Sequence, residues 1–185
     1  VSFGDEGCNL ETGDQYNTTD LLDFRGCVYI NVHFTFCPAQ VPVLQRSNGP
    51  ALSGLVTIAT YLVREANRAE LLGESAEHRA IVQQWLEYRV TKVDGCQKED
   101  IKTILKDLNT YLEDKVYLAG NQFTLADTLM YYGIHHIIVD LAVQEKEKYV
   151  NVTRWFDHVQ HYPGIRNHLP PVVVLKNRVY TGSHH

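Results

Sequence analysis

Residues 123–127 of this chain read Phe123-Thr124-Leu125-Ala126-Asp127, and this stretch predicts where a buried helix begins. Thr124 suits the N-cap position and Asp127 suits position N3. Side-chain oxygens three residues apart at these positions can each accept a hydrogen bond from the other residue's backbone N–H group. Asp127 also places a negative charge at the positive end of the helix. We therefore interpret Thr124 and Asp127 as a structural cap rather than as catalytic groups.

Apolar residues at helical spacing lie on both sides of this cap. They predict helices over about residues 51–66, 75–93, 100–112, 124–139 and 151–161. Before them, residues 28–36 alternate apolar and polar side chains, which predicts a half-buried strand, and residues 40–44 predict a second, shorter one. The expected fold class is α+β and mostly α, with a small mixed segment ahead of an all-helical bundle.

Three motifs resemble the glutathione transferase family, in the same order and at similar spacing. Residues 123–127 are similar to the capping box of its helical domain, and residues 149–165 to its penultimate helix and the following turn. Residues 40–44 resemble the strand that carries the cis-proline of that family, which would be Pro42. The resemblance covers about residues 40–180.

This resemblance implies a truncated thioredoxin-like N-terminal part followed by an all-helical domain like the C-terminal domain of glutathione transferases. We expect a divergent acidic segment with one strand over residues 1–39. A partial thioredoxin-like subdomain and linker would span residues 40–72, and the helical domain would span residues 73–185.

Composition and charge exclude several classes of function. The 185-residue chain carries a net charge of −5, and residues 1–39 hold six acids against one base, so the remainder is neutral. Because no basic patch is present, we expect no direct binding of nucleic acid. No apolar run is long enough to span a membrane and no signal peptide is evident, so we expect a cytosolic protein with no membrane segment, whose four cysteines stay reduced.

Two patterns could carry chemistry, and spacing argues against both. Cys37-Pro38 follows a strand like a thioredoxin-fold nucleophile, but Pro42 comes too soon for the helix and strand that separate the two in that fold. The adjacent His135 and His136 point about 100° apart on a helix, so they do not converge on a metal ion. We expect neither a metal nor a cofactor.

The resemblance also bears on glutathione. In active transferases, a Glu/Gln-Ser pair at the start of the helix after the cis-proline strand holds the γ-glutamyl group, and the matching residues here are Gly54 and Leu55. Neither side chain can hold a carboxylate. We therefore expect no enzymatic activity, with a glutathione-dependent transferase as the alternative.

Longer stretches, residues 82–89, 105–108 and 143–149, resemble the glutathione-transferase-like subunits of the multi-aminoacyl-tRNA synthetase complex. This implies a non-catalytic scaffold that binds the transferase-like domains of methionyl-tRNA synthetase and glutamyl-prolyl-tRNA synthetase, and other subunits of the complex. It also implies a nuclear role in DNA-damage signalling. A subunit of the elongation factor 1 complex is a further alternative.

Two partner-binding surfaces follow from this resemblance. One lies on the helix of residues 151–161, where Arg154 would stack on a partner arginine beside Asp157 and His158; the plain alternative is a solvated Arg154–Asp157 pair. The other surface is the family's dimer face, on the helix after Pro42 and the long helix of residues 76–93. We assign Leu55, Arg64 and Gln83 to that face.

Overall fold

The computed structural model describes residues 41–44, 50–166 and 169–174. Its elements are β1 (Val43–Leu44), β2 (Leu52–Ser53), α1 (Leu55–Glu65), α2 (Ala76–Tyr88), α3 (Ile101–Tyr111), α4 (Leu125–Asp140), α5 (Val143–Lys146) and α6 (Val150–Gln160). A π-helical turn, Arg89–Val93, extends α2, and short 3₁₀ turns precede α2 and α6. None of the helices in these ranges is long and apolar enough to cross a membrane.

The first helix begins later than the sequence predicts. β1 and β2 pair antiparallel, with Leu44 opposite Leu52, and the Gly54 N–H group donates to the carbonyl of Pro42 at 2.9 Å. Leu44 is buried and packs with Ile58 of α1 in a small apolar cluster. Residues 52 and 53 therefore form a strand, and the predicted helix start at residue 51 is wrong because this pairing uses their backbone groups.

The prediction of a cis-proline at Pro42 is also wrong. The described residues contain no cis peptide bond, so the bond between Val41 and Pro42 is trans. Val41 is 64% exposed and Pro42 is only partly buried, so little of the described chain packs around this bond. The trans form of an X-Pro bond is intrinsically favoured by about 0.5–1 kcal/mol unless surrounding contacts hold the cis form.

α4 is the centre of the helical core. Most of its residues are apolar and most are buried, which is the pattern of a helix surrounded by other elements. α2, its π-helical extension and α6 pack against α4, and α3 packs against α6. The largest fully buried side chains include Tyr131 of α4 and Trp155 and Phe156 of α6. Phe123 and Thr124 lie where the chain enters this core, so the cap at the start of α4 sits inside the packed region.

The predicted helices at residues 75–93, 100–112, 124–139 and 151–161 are confirmed to within one or two residues at each end, apart from the π-helical turn. The fold class is confirmed as mostly helical with a small sheet. The acidic segment of residues 1–39, its strand at 28–36 and Cys37-Pro38 lie outside the described residues. The division into a thioredoxin-like part and a helical domain stays a prediction.

Candidate functional site

The Thr124–Asp127 capping box is present, as predicted. Oδ2 of Asp127 accepts hydrogen bonds from the N–H group of Thr124 at 3.0 Å and from its hydroxyl at 2.9 Å. Oδ1 accepts from the N–H group of Leu118 and from Nε1 of Trp155, both at 2.9 Å. The carboxylate therefore ties the start of α4 to the preceding loop and to α6. This extent of bonding goes beyond a local cap.

Asp127 is fully buried, and burial raises the pKa of its carboxyl group above the usual value. The hydrogen bonds from Leu118, Trp155 and Thr124 act in the opposite direction, because they stabilise the charged form. All of its partners are structural groups of the same chain. The arrangement stabilises the fold and offers no open position for a substrate.

Arg154 is exposed on α6, as predicted, but its guanidinium is not free. Nη2 of Arg154 donates to the carbonyl of Leu112 at 2.6 Å and to that of Lys115 at 2.9 Å. Leu112 is the C-cap residue of α3, so Arg154 satisfies a carbonyl at the end of that helix and adds a positive charge near its negative pole. Arg154 thus links α6 to the loop after α3.

The alternative pairing of Arg154 with Asp157 is not the arrangement found. Asp157 accepts a hydrogen bond from Nε2 of Gln160 at 2.7 Å, and its carboxylate lies 3.8 Å from Nδ1 of His161. Asp157 is therefore directed along α6 towards the helix end rather than back towards Arg154. Asp157 and His161 form an exposed pair. Asp157 lies about one helical turn after Arg154, and His161 lies about one turn after His158.

His158 joins the same loop at a second point. Its Nε2 atom lies 2.8 Å from the hydroxyl of Tyr117, and the ring of Tyr117 packs edge-on against Phe123 with centroids 5.7 Å apart. Partial burial raises the pKa of Tyr117, so the phenol stays neutral at physiological pH. Arg154 and His158 are one helical turn apart, and together they hold the loop against the exposed face of α6.

The residues assigned to the dimer face differ in exposure. Arg64 of α1 and Gln83 of α2 are exposed, and Gln83 donates from Nε2 to Glu87 at 2.9 Å. Leu55, the first residue of α1, is partly buried and packs against the main core instead. They lie on different helices from Arg154, Asp157 and His158. The partner-binding roles of all six residues stay predictions.

The position expected to hold glutathione in an active transferase is built by backbone and apolar groups. Gly54 adopts φ of 90°, a conformation that side-chain-bearing residues rarely take, and Leu55 directs its side chain to the core. The neighbouring Ser53 belongs to β2. The described residues around this position thus place neither a carboxylate partner nor an amide side chain at the start of α1.

A mostly buried arginine, Arg89, is the main structural feature that the sequence patterns do not predict. Nε of Arg89 donates to the carbonyl of Leu129 at 3.1 Å, and Arg89 forms an ion pair with Asp94 across the π-helical turn. Burial lowers the pKa of Arg89 to about 10, so it remains charged at neutral pH. A Cβ atom at Gly133 would collide with the Arg89 guanidinium. The glycine in the middle of α4 is therefore the sequence feature that could have indicated a side chain packed closely against this helix.

The histidines do not converge. His135 is partly buried between Tyr131 and Phe156, with ring centroids 5.7 and 5.8 Å away, whereas His136 is exposed. Within the described ranges, no group of three or more His, Cys, Asp or Glu side chains could hold a metal ion.

Comparisons with known proteins are consistent with this architecture. Residues 78–163 match the model of the family described as "Nuclear-export cofactor Arc1p". A segment of the mouse bifunctional glutamate/proline–tRNA ligase is 26% identical over 126 residues, which span 68% of this chain and 8% of the ligase. The GST-like domain of elongation factor 1-gamma from Saccharomyces cerevisiae shares the fold, with a TM-score of 0.59 at 18% identity over 69% of this chain and 71% of that chain.

The human protein "Eukaryotic translation elongation factor 1 epsilon-1" is much more similar. It is 69% identical over 146 residues, which span 78% of this chain and 84% of the human protein. Such identity over most of the length of a relative extends well beyond a shared fold. The chain therefore belongs to the eukaryotic translation elongation factor 1 epsilon-1 family.

Proposed function

We propose that this protein is a non-catalytic auxiliary subunit of the multi-aminoacyl-tRNA synthetase complex. In this role it binds the glutathione-transferase-like domains of synthetases and holds them in the assembly. The observation that carries the proposal is its membership of the elongation factor 1 epsilon-1 family at high identity. The match to the family of Arc1p, described as a cofactor, points to the same auxiliary role.

Glutamyl-prolyl-tRNA synthetase is the better supported partner. The matching segment of the mouse ligase is a small part of that enzyme, so the ligase contains a region similar to this chain. Two similar domains can pair through the same patch on each, as the two subunits of a symmetric dimer do. Methionyl-tRNA synthetase and the other subunits of the complex are proposed from the sequence resemblance alone.

The proposal of a scaffold without catalysis has local support at the start of α1. Gly54 and Leu55 stand where the family resemblance requires a glutathione-holding pair, and Gly54 bonds the carbonyl of Pro42 through its own N–H group. The polar groups of Thr124, Asp127 and Trp155 are satisfied by one another. We place the protein in the cytoplasm and propose, from the resemblance only, a second location in the nucleus with a part in DNA-damage signalling.

A binding experiment with purified components tests the proposal. The full chain is immobilised and offered three proteins separately: the matching segment of the glutamate/proline–tRNA ligase, the transferase-like domain of methionyl-tRNA synthetase, and the GST-like domain of elongation factor 1-gamma. We expect the two synthetase domains to be retained. Retention of the elongation factor domain alone would favour a subunit of the elongation factor 1 complex, and retention of none of the three would reject the scaffold proposal.

A further inference from the structure

The first turn of α6 takes its cap from another helix. Tyr149 occupies the N-cap position of α6, and its side chain accepts no hydrogen bond from the helix. Oδ1 of Asn109, in the last turn of α3, accepts instead from the N–H group of Asn151 at 2.9 Å and from that of Val152 at 3.4 Å. These are positions N2 and N3 of α6, whose N–H groups an N-cap side chain ordinarily satisfies. Asn109 therefore does the work of an N-cap although it lies 42 residues before Asn151.

The last turn of α3 is capped by α6 in return. The final carbonyl groups of a helix have no donor within the helix itself. Nδ2 of Asn151 donates to the carbonyl of Asn109 at 3.0 Å. Nη2 of Arg154 donates to the carbonyl of Leu112, the C-cap residue of α3, at 2.6 Å and to that of Lys115 at 2.9 Å. Each helix end thus supplies the hydrogen-bonding groups that the other end lacks.

Electrostatics favours the same arrangement. Asn151 bonds Asn109 and Arg154 bonds Leu112, and both pairs are 42 residues apart, so the contacts advance in the same sense along the two helices. The last turn of α3 carries the negative pole of that helix, and the first turn of α6 carries a positive pole. Because these two turns contact each other, the opposite poles of the two helices are neighbours.

We propose that Asn109, Asn151 and Arg154 form a reciprocal clasp, a conformational device that makes the end of α3 and the start of α6 open and close together. In the closed state both helix ends are capped. In the open state both ends lose these caps, because every one of these hydrogen bonds crosses from one helix to the other. The clasp is a property of the fold and holds whichever partner the chain binds.

The cap of α2 shows what an ordinary, local arrangement looks like. Ser75 is the N-cap residue of that helix, and its hydroxyl oxygen accepts from the N–H group of His78 at 3.0 Å. Both groups belong to the same helix end. Loss of the Ser75 hydroxyl should therefore loosen only the first turn of α2, and Ser75→Ala is the matched control for the clasp.

Backbone amide hydrogen exchange of the full chain tests the clasp. In each variant, the informative amide is one whose own hydrogen bond the substitution leaves intact. In Asn109→Leu this is the amide of Leu112, which bonds the carbonyl of Leu108 at 2.9 Å. In Arg154→Ala it is the amide of Asn151, which bonds Oδ1 of Asn109.

We expect each of these two amides to exchange at least about fivefold faster in its variant than in the wild type, because the loss of one cap opens both helix ends. Leucine and alanine are good helix formers, so a purely local effect of either substitution would slow exchange instead. The amide of His78 should be unchanged in both variants, and Ser75→Ala should speed exchange at His78 alone.

A conservative variant separates the clasp from a general effect of substitution. Asn109→Asp keeps an acceptor for the N–H groups of Asn151 and Val152, so exchange at Leu112 should stay within about twofold of the wild type. Circular dichroism verifies that each variant is folded. If Asn109→Leu does not fold, the comparison of Arg154→Ala with Ser75→Ala decides the question.

Two results would overturn the proposal. Unchanged exchange at Leu112 in a folded Asn109→Leu, or at Asn151 in Arg154→Ala, would show that the two helix ends open independently. Equal acceleration of His78 and of the informative amides would show that the whole chain loosens rather than the clasp.

Discussion

At the scale of single residues, Asp127 shows how one side chain can hold several elements together. A carboxylate at position N3 of a helix ordinarily satisfies the N-cap N–H group and interacts with the helix dipole. Here the same carboxylate also accepts from Leu118 and from the indole of Trp155. Removing it would leave two additional donors buried without partners.

We predict that Asp127→Ala lowers the free energy of unfolding by about 3 kcal/mol or more. A lost cap costs about 1 kcal/mol, and each buried donor left without an acceptor adds about 1–3 kcal/mol. Asp127→Asn should lower the free energy of unfolding by less, because the amide oxygen can still accept from Leu118 and Trp155. A cost remains, because the amide nitrogen then faces the donors of Thr124. Chemical denaturation of the purified variants measures these differences.

The control for this prediction is Asp107→Ala. Asp107 is exposed on α3 and accepts one long hydrogen bond of 3.4 Å from Tyr88, so its removal should change stability by no more than about 0.5 kcal/mol. If Asp127→Ala and Asp107→Ala unfolded at the same denaturant concentration, the network around Asp127 would not stabilise the fold.

At the scale of elements, the packing of α4 against its neighbours depends on side-chain hydrogen bonds that the helical spacing of apolar residues does not predict. Arg89 lies three and four residues after the buried Leu86 and Trp85, so helical spacing places it on the face of α2 that packs against α4, where its side chain is mostly buried. Its acceptor at Leu129 is 40 residues away in sequence, so no local pattern could predict the bond. The same reasoning applies to Arg154, whose acceptors are 42 and 39 residues away.

The helices themselves were predictable because their apolar faces are local properties of the chain. α3, α4 and α6 begin and end close to the predicted residues. The start of α1 was not predictable in this way, because Leu52 and Ser53 pair with β1 instead of joining the helix. This pairing is a contact between two separate segments of the chain. Apolar spacing and a cap are visible in sequence, whereas long-range hydrogen bonds to carbonyls are visible only in the folded chain.

The interface between α4 and α6 should make stability depend on pH through His135. Burial, and secondarily the neighbouring His136, lowers the pKa of His135, and its Nε2 atom is buried without a hydrogen-bond partner among the described residues. The unfolded chain therefore binds a proton at a higher pH than the folded chain does. The stability contributed by neutral His135 is present above the ordinary pKa of 6.5 and is lost as the pH falls through the lower folded value.

We predict that His135→Leu removes part of the acid sensitivity. The free energy of unfolding of the wild type, measured against that of His135→Leu, should fall as the pH is lowered from about 7.5 to about 5. Using this difference excludes the contributions of other groups, such as Asp127, whose pKa is raised. His136→Gln should keep most of the dependence because burial is the larger cause. A constant difference between wild type and His135→Leu across this range would contradict the prediction.

At the scale of the whole molecule, the described part of the chain has a fold like that of the GST-like domain of elongation factor 1-gamma, and this likeness shows the fold alone. The sequence predicted the position of the cap and the exposure of Arg154. That Gly54 and Leu55 stand in place of a glutathione-holding pair stays a prediction. The sequence could not predict that Arg154 bonds two carbonyls or that Leu55 turns into the core, because both depend on packing between distant segments. Fold alone therefore does not imply transferase activity.

We predict that the full chain shows no saturable binding of glutathione at millimolar concentrations in titration calorimetry, and no conjugation of glutathione to a generic electrophile. Leu55 offers no donor to a carboxylate, and Gly54 has no side chain to do so. A larger residue at Gly54 would be strained at φ of 90°, at a cost of about 1 kcal/mol or more. Leu55→Ser alone should therefore not create a site. An active glutathione transferase in the same titration is the positive control, and saturable binding by the wild-type chain would contradict a purely scaffolding role.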